Sequence, residues 1–278
     1  MRLNEWVAME EGFYADAGFE VDMQWEQLKA EQGSWDTYKE RPQDLPFLKG
    51  TAEITSACAW GSVCNAGAGM GKFIPDVYGI SPWAIYVRPD SKIQKPEDLR
   101  DVPIAVGSRA GSHFSVPLNL EPIMPLENIK TVGLGGFGVR LKALENGDFE
   151  AVSLLPPQVD MAQQLGFRKI IDGELKTLWW VDSHTDPQML RRYFEVLERA
   201  EKAIQADTAR YLPLWKYSNS EQYKDHAWDY SSFGRGERFV HSALPRKDFD
   251  DIMAQVTRWG LDDHLEERAF DKITLTVK

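Results

Sequence analysis

Between Val102 and Ile171 the chain repeats one local pattern: a short apolar run, a loop of small or cyclic residues, then a helix. Val102-Pro103-Ile104-Ala105-Val106-Gly107 is followed by Ser108-Arg109-Ala110-Gly111-Ser112-His113, which leads into a helix. The glycine-rich stretch from Gly133 to Gly138 precedes a helical run, Val139 to Asn146, that Gly147 terminates. Phe149 to Leu155 is extended again, Pro156-Pro157 breaks it, and Gln158 to Leu165 is helical up to Gly166, before a strand from Arg168 to Ile171. Strands alternating with helices predict a mainly parallel sheet with both faces covered, and so an α/β fold.

The flanking segments are less regular. Asn4 to Glu11 reads as a helix with Asn4 as its cap, Trp6, Val7 and Met9 as apolar positions, and Gly12 as its stop. After a turn at Phe13 to Gly18, Phe19 to Glu26 alternates apolar and polar residues strictly, which predicts a strand with one wet face. Residues 27–48 are polar and poorly periodic. Ala52 to Trp60 reads as a second strand, with a small-residue segment, Gly61 to Gly71, opening as a helix. Pro75 to Val87 is extended, Ser91 to Leu99 carries turn and helix signals, and Leu178 to Val181 is the last clear strand. Asp186 then caps a long helix with Pro187 at its first position and Leu190, Phe194, Leu197 and Ile204 on one face. The rest reads as mostly helical, with Phe249, Ile252, Met253, Val256 and Trp259 on one face and Gly260 after it. This uneven distribution predicts two lobes, 1–85 plus 180–278 and 86–179, with a ligand cleft between them. A chain of 278 residues gives each lobe enough material for its own core.

Composition removes several function classes. A net charge of −11 with no basic cluster argues against nucleic acid, which needs a Lys/Arg surplus on at least one face. No run of 18 apolar residues is present, so no membrane-spanning segment is expected. Cys58 and Cys64 do not make a disulfide framework and fall short of the four ligands of structural zinc. With no P-loop, no metal-spaced histidine pair and no Ser/His/Asp order, neither metal nor cofactor is expected. Ten tryptophans suggest core filling for most and a cleft wall for at least one.

Ligands of open α/β sheets bind beyond the carboxyl ends of strands, where helix N-termini present backbone N–H groups to anions. Three segments qualify: Ala59-Trp60-Gly61-Ser62, Ser108 through His113, and Leu155-Pro156-Pro157-Gln158. The candidate ligand contacts are therefore Trp60, Gly61 and Ser62, then Ser108, Arg109, Gly111, Ser112 and His113, and then Pro156, Trp179 and Trp180. Arg109 can pair with a carboxylate or sulfonate or remain solvated. Ser112 is equally readable as a helix cap, and His113 as a surface histidine. On a strand Trp179 and Trp180 face opposite sides, one into the core and the other available to the cleft. Cys58 and Cys64 read as small buried residues.

Three blocks in order carry a family resemblance. They are Glu11-Gly12-Phe13-Tyr14-Ala15-Asp16-Ala17-Gly18-Phe19-Glu20-Val21, then Tyr86 through Ile93 with Pro96-Glu97-Asp98-Leu99, then Ala143-Leu144-Glu145-Asn146-Gly147-Asp148-Phe149-Glu150-Ala151. The chain thereby resembles ABC-transporter solute-binding proteins for nitrate, sulfonate and taurine, including the thiamine-pyrimidine branch. The resemblance implies the two-lobed type II periplasmic-binding-protein architecture. It also implies a small organic anion or heterocycle as ligand, and an ABC permease as partner. The same fold carries enzymes, so a decarboxylase or C–S lyase using Cys58 or Cys64 with His113 is the alternative, and a cytosolic ligand sensor a third reading. The cysteine-dense motif of the pyrimidine synthase is absent. Family members begin with a strand before the first helix, whereas here helix signals begin within a few residues of Met1. Either that strand is lost or the natural start lies upstream. An upstream start with a leader predicts a periplasmic or other extracytoplasmic location, and Met1 as the true start predicts a cytoplasmic one.

Overall fold

A computed structural model describes residues 2–24, 35, 37–41 and 44–277. In chain order its principal elements are α1 (Leu3–Glu10), β1 (Ile54–Cys58), α2 (Ala59–Gly67), β2 (Lys72–Phe73), β3 (Tyr78–Val87), β4 (Pro103–Val106) and α3 (Gly111–Leu120). There follow β5 (Lys130–Gly133), α4 (Phe137–Asn146), β6 (Ala151–Leu154), α5 (Gln158–Gln164), β7 (Arg168–Val181), α6 (Pro187–Ala206), β8 (Arg238–Val240) and α7 (Arg246–Arg258). The strands join into one sheet in the order β1-β7-β3-β6-β4-β5, with β2 also on β7 and β8 also on β3.

Two long antiparallel strands, β3 and β7, hold the sheet together. At one end β7 pairs with β1, from Ile54 opposite Val181 to Cys58 opposite Thr177, and β3 pairs with β8 through Tyr78, Gly79 and Ile80. At the other end β3 pairs with β6 from Ala84 to Val87, and β6 leads through β4 to β5. Between these two sets, residues 81–83 of β3 have only β7 beside them among the described residues. Pro82 lies in that stretch, opposite Glu174 of β7.

The βα units between β4 and α5 form as their sequence predicts, with β4 parallel to both β5 and β6. Gly147 closes α4 in the left-handed conformation, φ 83°, which glycine adopts without strain. Asp186 accepts the Gln188 N–H at 2.9 Å and caps α6 ahead of Pro187, and Leu190, Phe194, Leu197 and Ile204 are buried along one face.

Other expectations are corrected. The sheet is mixed rather than mainly parallel, because both strand sets dock onto the antiparallel pair β3 and β7. Arg168–Ile171 and Leu178–Val181 are one strand of 14 residues. The polar stretch between them stays extended because it is bonded along β3. Residues 19–24 run without strand pairing, and Trp25 and Glu26 lie outside the described residues. Alternation supplies a wet face and a dry one, but a strand also needs a neighbour. Arg2, not Asn4, occupies the N-cap of α1, and Asn4 is buried inside the helix. Ala59 and Trp60 open α2 rather than ending β1. The last hundred residues are less helical than expected, since 212–237 runs largely through short 3-10 turns into β8.

Each face of the sheet has its own core. Ala84, Tyr86, Trp179 and Val181 pack under α1, α4, α5 and α6. Trp83, Ile85, Leu178 and Trp180 pack under α2, α3 and α7. Among the described residues no helix is long and apolar enough to cross a membrane.

Candidate functional site

A cavity of about 80 Å³ opens beside the part of β3 that lacks a second neighbour. Ser81 and Leu175, cross-strand partners on β3 and β7, contribute to its lining. One wall is polar and comes from the end of the sheet that carries β1 and β8: Arg2, Ser56, Thr177 and Glu237. The opposite wall comes from the ends of the βα units: Ala110, Gly111, Phe137, Leu155 and Pro156. Arg41, Ala57 and Cys58 complete it.

The polar wall is internally paired. Arg2 donates through Nε to Glu237 and through Nη1 to the Ser56 hydroxyl, and its guanidinium lies 4.2 Å from the centre of the Trp179 ring. Glu237 also accepts the Thr177 hydroxyl at 2.7 Å. Burial works against the Arg2 charge, but Glu237 and Glu5 hold its pKa above the ordinary value. Gly79 makes this approach possible, since a Cβ there would overlap the Thr177 hydroxyl and lie 2.6 Å from the Glu237 carboxyl carbon. Arg41 is fully buried and paired with Asp44 at 2.5 Å, and its Nη2 donates to Asn65 at 3.0 Å.

Cys58 stands where β1 passes into α2. Its sulfur accepts the Gly61 N–H at 3.3 Å, while burial pushes the thiol pKa up to about 11. Gly111, the first residue of α3, packs against it, with a Cβ there lying 3.1 Å from the Cys58 Cβ.

Of the residues singled out in the sequence, the structure places Gly111, Pro156 and Cys58 on the cavity. The others have different surroundings. Trp60 is buried against Phe114, ring centres 5.6 Å apart, and donates its indole N–H to Gln255 at 2.6 Å. Gly61 is engaged with Cys58, and the Ser62 hydroxyl donates to the Leu178 carbonyl at 3.1 Å. Ser108 is buried. Arg109 adopts φ 51° and forms a two-pronged bond to Asp263, both contacts 2.8 Å, so its charge is already neutralised. The Ser112 hydroxyl accepts the Gly107 N–H at 2.8 Å and ties down its own loop. His113 accepts the Arg109 N–H at Nδ1, 3.1 Å, and meets the Thr131 hydroxyl at Nε2, 3.2 Å. Burial, aided by Arg109, pushes its pKa down to about 4. Cys64 is fully buried and pushed up to about 12 by the same desolvation. Trp179 and Trp180 do face opposite sides of β7, but helices cover both sides, so neither indole reaches the cavity.

Arg2, Arg41, Ser56, Ser81, Thr177 and Glu237 were not legible as site residues. Phe137 had a partial signal, since it follows a glycine-rich turn at the start of a helix. Among the described residues no group of three or more His, Cys, Asp or Glu could hold a metal ion.

No protein-family model matches the chain, and no curated protein matches it. Solved structures do match. The Escherichia coli periplasmic aliphatic sulphonate binding protein SsuA is 13% identical over 98% of this chain and 88% of its own, with a TM-score of 0.65. A Candida albicans protein described as having the generic periplasmic binding protein fold is 11% identical over 97% and 89%, TM-score 0.64. DszB, as a cysteine-to-serine mutant with biphenyl-2-sulfinic acid, is 14% identical over 99% and 93%, TM-score 0.61. At such identities the likeness is one of fold: the chain has the α/β periplasmic-binding-protein fold.

Proposed function

We propose that the chain binds a small organic anion or heterocycle in this cavity, as the solute-binding component of an ABC importer working outside the cytoplasm. The observation that carries the reading is the cavity's position. It lies at a stretch of β3 that has no second neighbour among the described residues, with a polar wall from one strand set and the starts of α3 and α4 on the other. A space of about 80 Å³ is well below the roughly 300–1,000 Å³ of ordinary ligand pockets, so entry requires the walls to part. Residues 1–85 with 180–278 and residues 86–179 would be the moving lobes, with β3 and β7 as the hinge. The likeness to SsuA supports this reading, and an ABC permease would be the partner.

The test is native mass spectrometry and thermal shift with short alkanesulfonates, arylcarboxylates and a pyrimidine. At least one should bind, and Ala110→Phe, which puts a ring into the cavity, should abolish it. Failure of every ligand to bind the wild-type chain would refute the proposal. Fractionation of the source cells tests the location, which the proposal puts outside the cytoplasm.

A second reading has one observation in its favour: Cys58 borders the cavity at a helix start, on a fold shared with the desulfurization enzyme DszB. Against it, the thiol is held neutral, and both nitrogens of His113 are engaged away from it. Turnover of an aryl sulfinate that disappears in Cys58→Ser would establish the enzyme instead.

A further inference from the structure

Four arginines are buried among the described residues: Arg109, held by Asp263, Arg2 and Arg41, which line the cavity, and Arg140, which does not and which differs from the rest. Arg2 and Arg41 are each paired with a carboxylate. Arg140, on α4 and 1% exposed, pairs with none among the described residues. Its Nε donates to the Ser153 carbonyl at 3.0 Å and its Nη1 to the Gly135 carbonyl at 2.6 Å, and Nη2 has no hydrogen-bond partner among the described residues. The placement is a built one. Gly107, at the end of β4, leaves room for the guanidinium, since a Cβ there would lie 2.7 Å from Nη1.

Among the described residues, two more buried polar groups near the starts of α4 and α5 lack partners. Both amide atoms of Gln158 and the hydroxyl of Ser220 are unbonded, Gln158 following the cavity-lining stretch at Pro156 and Ser220 packing on Gly138. Buried groups of this kind are ordinarily satisfied, and a buried charge without a partner is costly. Phe137 links this cluster to the cavity: it lines the cavity, and its ring centre lies 4.6 Å from the Arg140 guanidinium.

Building on the proposed function, we propose that Arg140 is the residue that receives the ligand's anionic group. The Phe137 ring covers the guanidinium when no ligand is present and turns aside on binding. The ligand therefore carries a negative charge, and a neutral heterocycle is the wrong class. Burial pushes the Arg140 pKa down to about 9, which still leaves it charged at neutral pH.

The test compares wild-type, Arg140→Lys, Arg140→Met and Arg140→Gln chains by calorimetry against ethanesulfonate, butanesulfonate, benzoate and neutral pyrimidine, with the melting temperature of each unliganded protein. The wild type should bind an anion and not pyrimidine. Arg140→Met should weaken that anion by about 100-fold, the scale of leaving one partner of a buried charge pair alone. Arg140→Lys should recover part of the affinity. Should Met at this position prevent folding, Arg140→Gln takes its place. Unchanged anion affinity in the neutral variants overturns the inference, as does a loss of stability in both that leaves binding intact. Pyrimidine binding with no anion binding overturns it while leaving the proposed function standing, whereas no binding by any probe removes both.

Discussion

Gly79→Ala tests whether the polar wall is assembled as described. In an unobstructed strand this change is favourable, by about 0.5–1 kcal/mol, because alanine has less backbone freedom to lose. Here the new methyl would lie 2.6 Å from the Glu237 carboxyl carbon and overlap the Thr177 hydroxyl, so one or both side chains must move. Overpacking of this kind costs about 1–3 kcal/mol. Displacing Glu237 also separates it from Arg2, whose side chain is 4% exposed, and breaking such a buried pair costs about 3–5 kcal/mol. Glu5, 3.5 Å from Arg2, recovers part of that, so a net loss of about 3 kcal/mol is expected. For a chain of this size the melting temperature should fall by roughly 5 °C. Thermal unfolding followed by circular dichroism gives the shift, and a double-mutant cycle isolates its cause. A Thr177→Ala, Glu237→Ala background removes the three atoms nearest to the methyl. Gly79→Ala should there be neutral or slightly stabilising. A wild-type background that tolerates Gly79→Ala, or an equal penalty in both backgrounds, would refute the reasoning.

Three further outcomes follow from the same geometry. Because the His113 pKa is pushed down to about 4 from 6.5, the unfolded chain takes up a proton that the native chain refuses. Stability should therefore fall as pH drops from about 6.5 to about 4, and urea titrations should show His113→Gln flattening that slope. Arg41→Met strands the fully buried Asp44 carboxylate and should cost about 3–5 kcal/mol by urea denaturation, most of it restored by adding Asp44→Leu. Cys58, its thiol pushed up to about 11, should react with iodoacetamide at pH 8 at less than about a tenth of the rate of a free cysteine; rapid labelling would show the thiol to be activated.

Local signals in the sequence located most regular elements. The Asp186-Pro187 pair marks the start of α6 because a carboxylate cap and a proline at the first position satisfy backbone groups within a few residues. Gly147 marks the end of α4 for an equally local reason. The βα repeat from β4 to α5 was readable because period-two and helical patterns each need only a short window. Where the reading failed, the deciding partner was remote. Strand β7 is continuous because β3 runs beside it, and nothing within residues 172–177 says so.

The site was less legible, again for reasons of distance along the chain. Gly111 and Pro156 could be read because each stands at a junction of strand and helix, and such junctions face the ligand side of an α/β sheet, whereas Cys58 entered only as the thiol of the alternative enzyme. Arg109 was a reasonable anion ligand by its loop alone, until Asp263, 154 residues later, took its charge. Trp179 and Trp180 were correctly set on opposite faces by the two-residue period of a strand, but burial of both depends on helices packed from elsewhere in the chain. Arg2 and Glu237 meet across 235 residues of sequence, and the charge of each makes sense only beside the other. Sequence by itself thus determined the alternation of elements, their caps and the faces they bury, since those depend on backbone groups a few residues apart. Only the tertiary structure decided which charges are neutralised and which, like Arg140, are left open, because pairing depends on what lies within about 4 Å in space, whatever the separation along the chain.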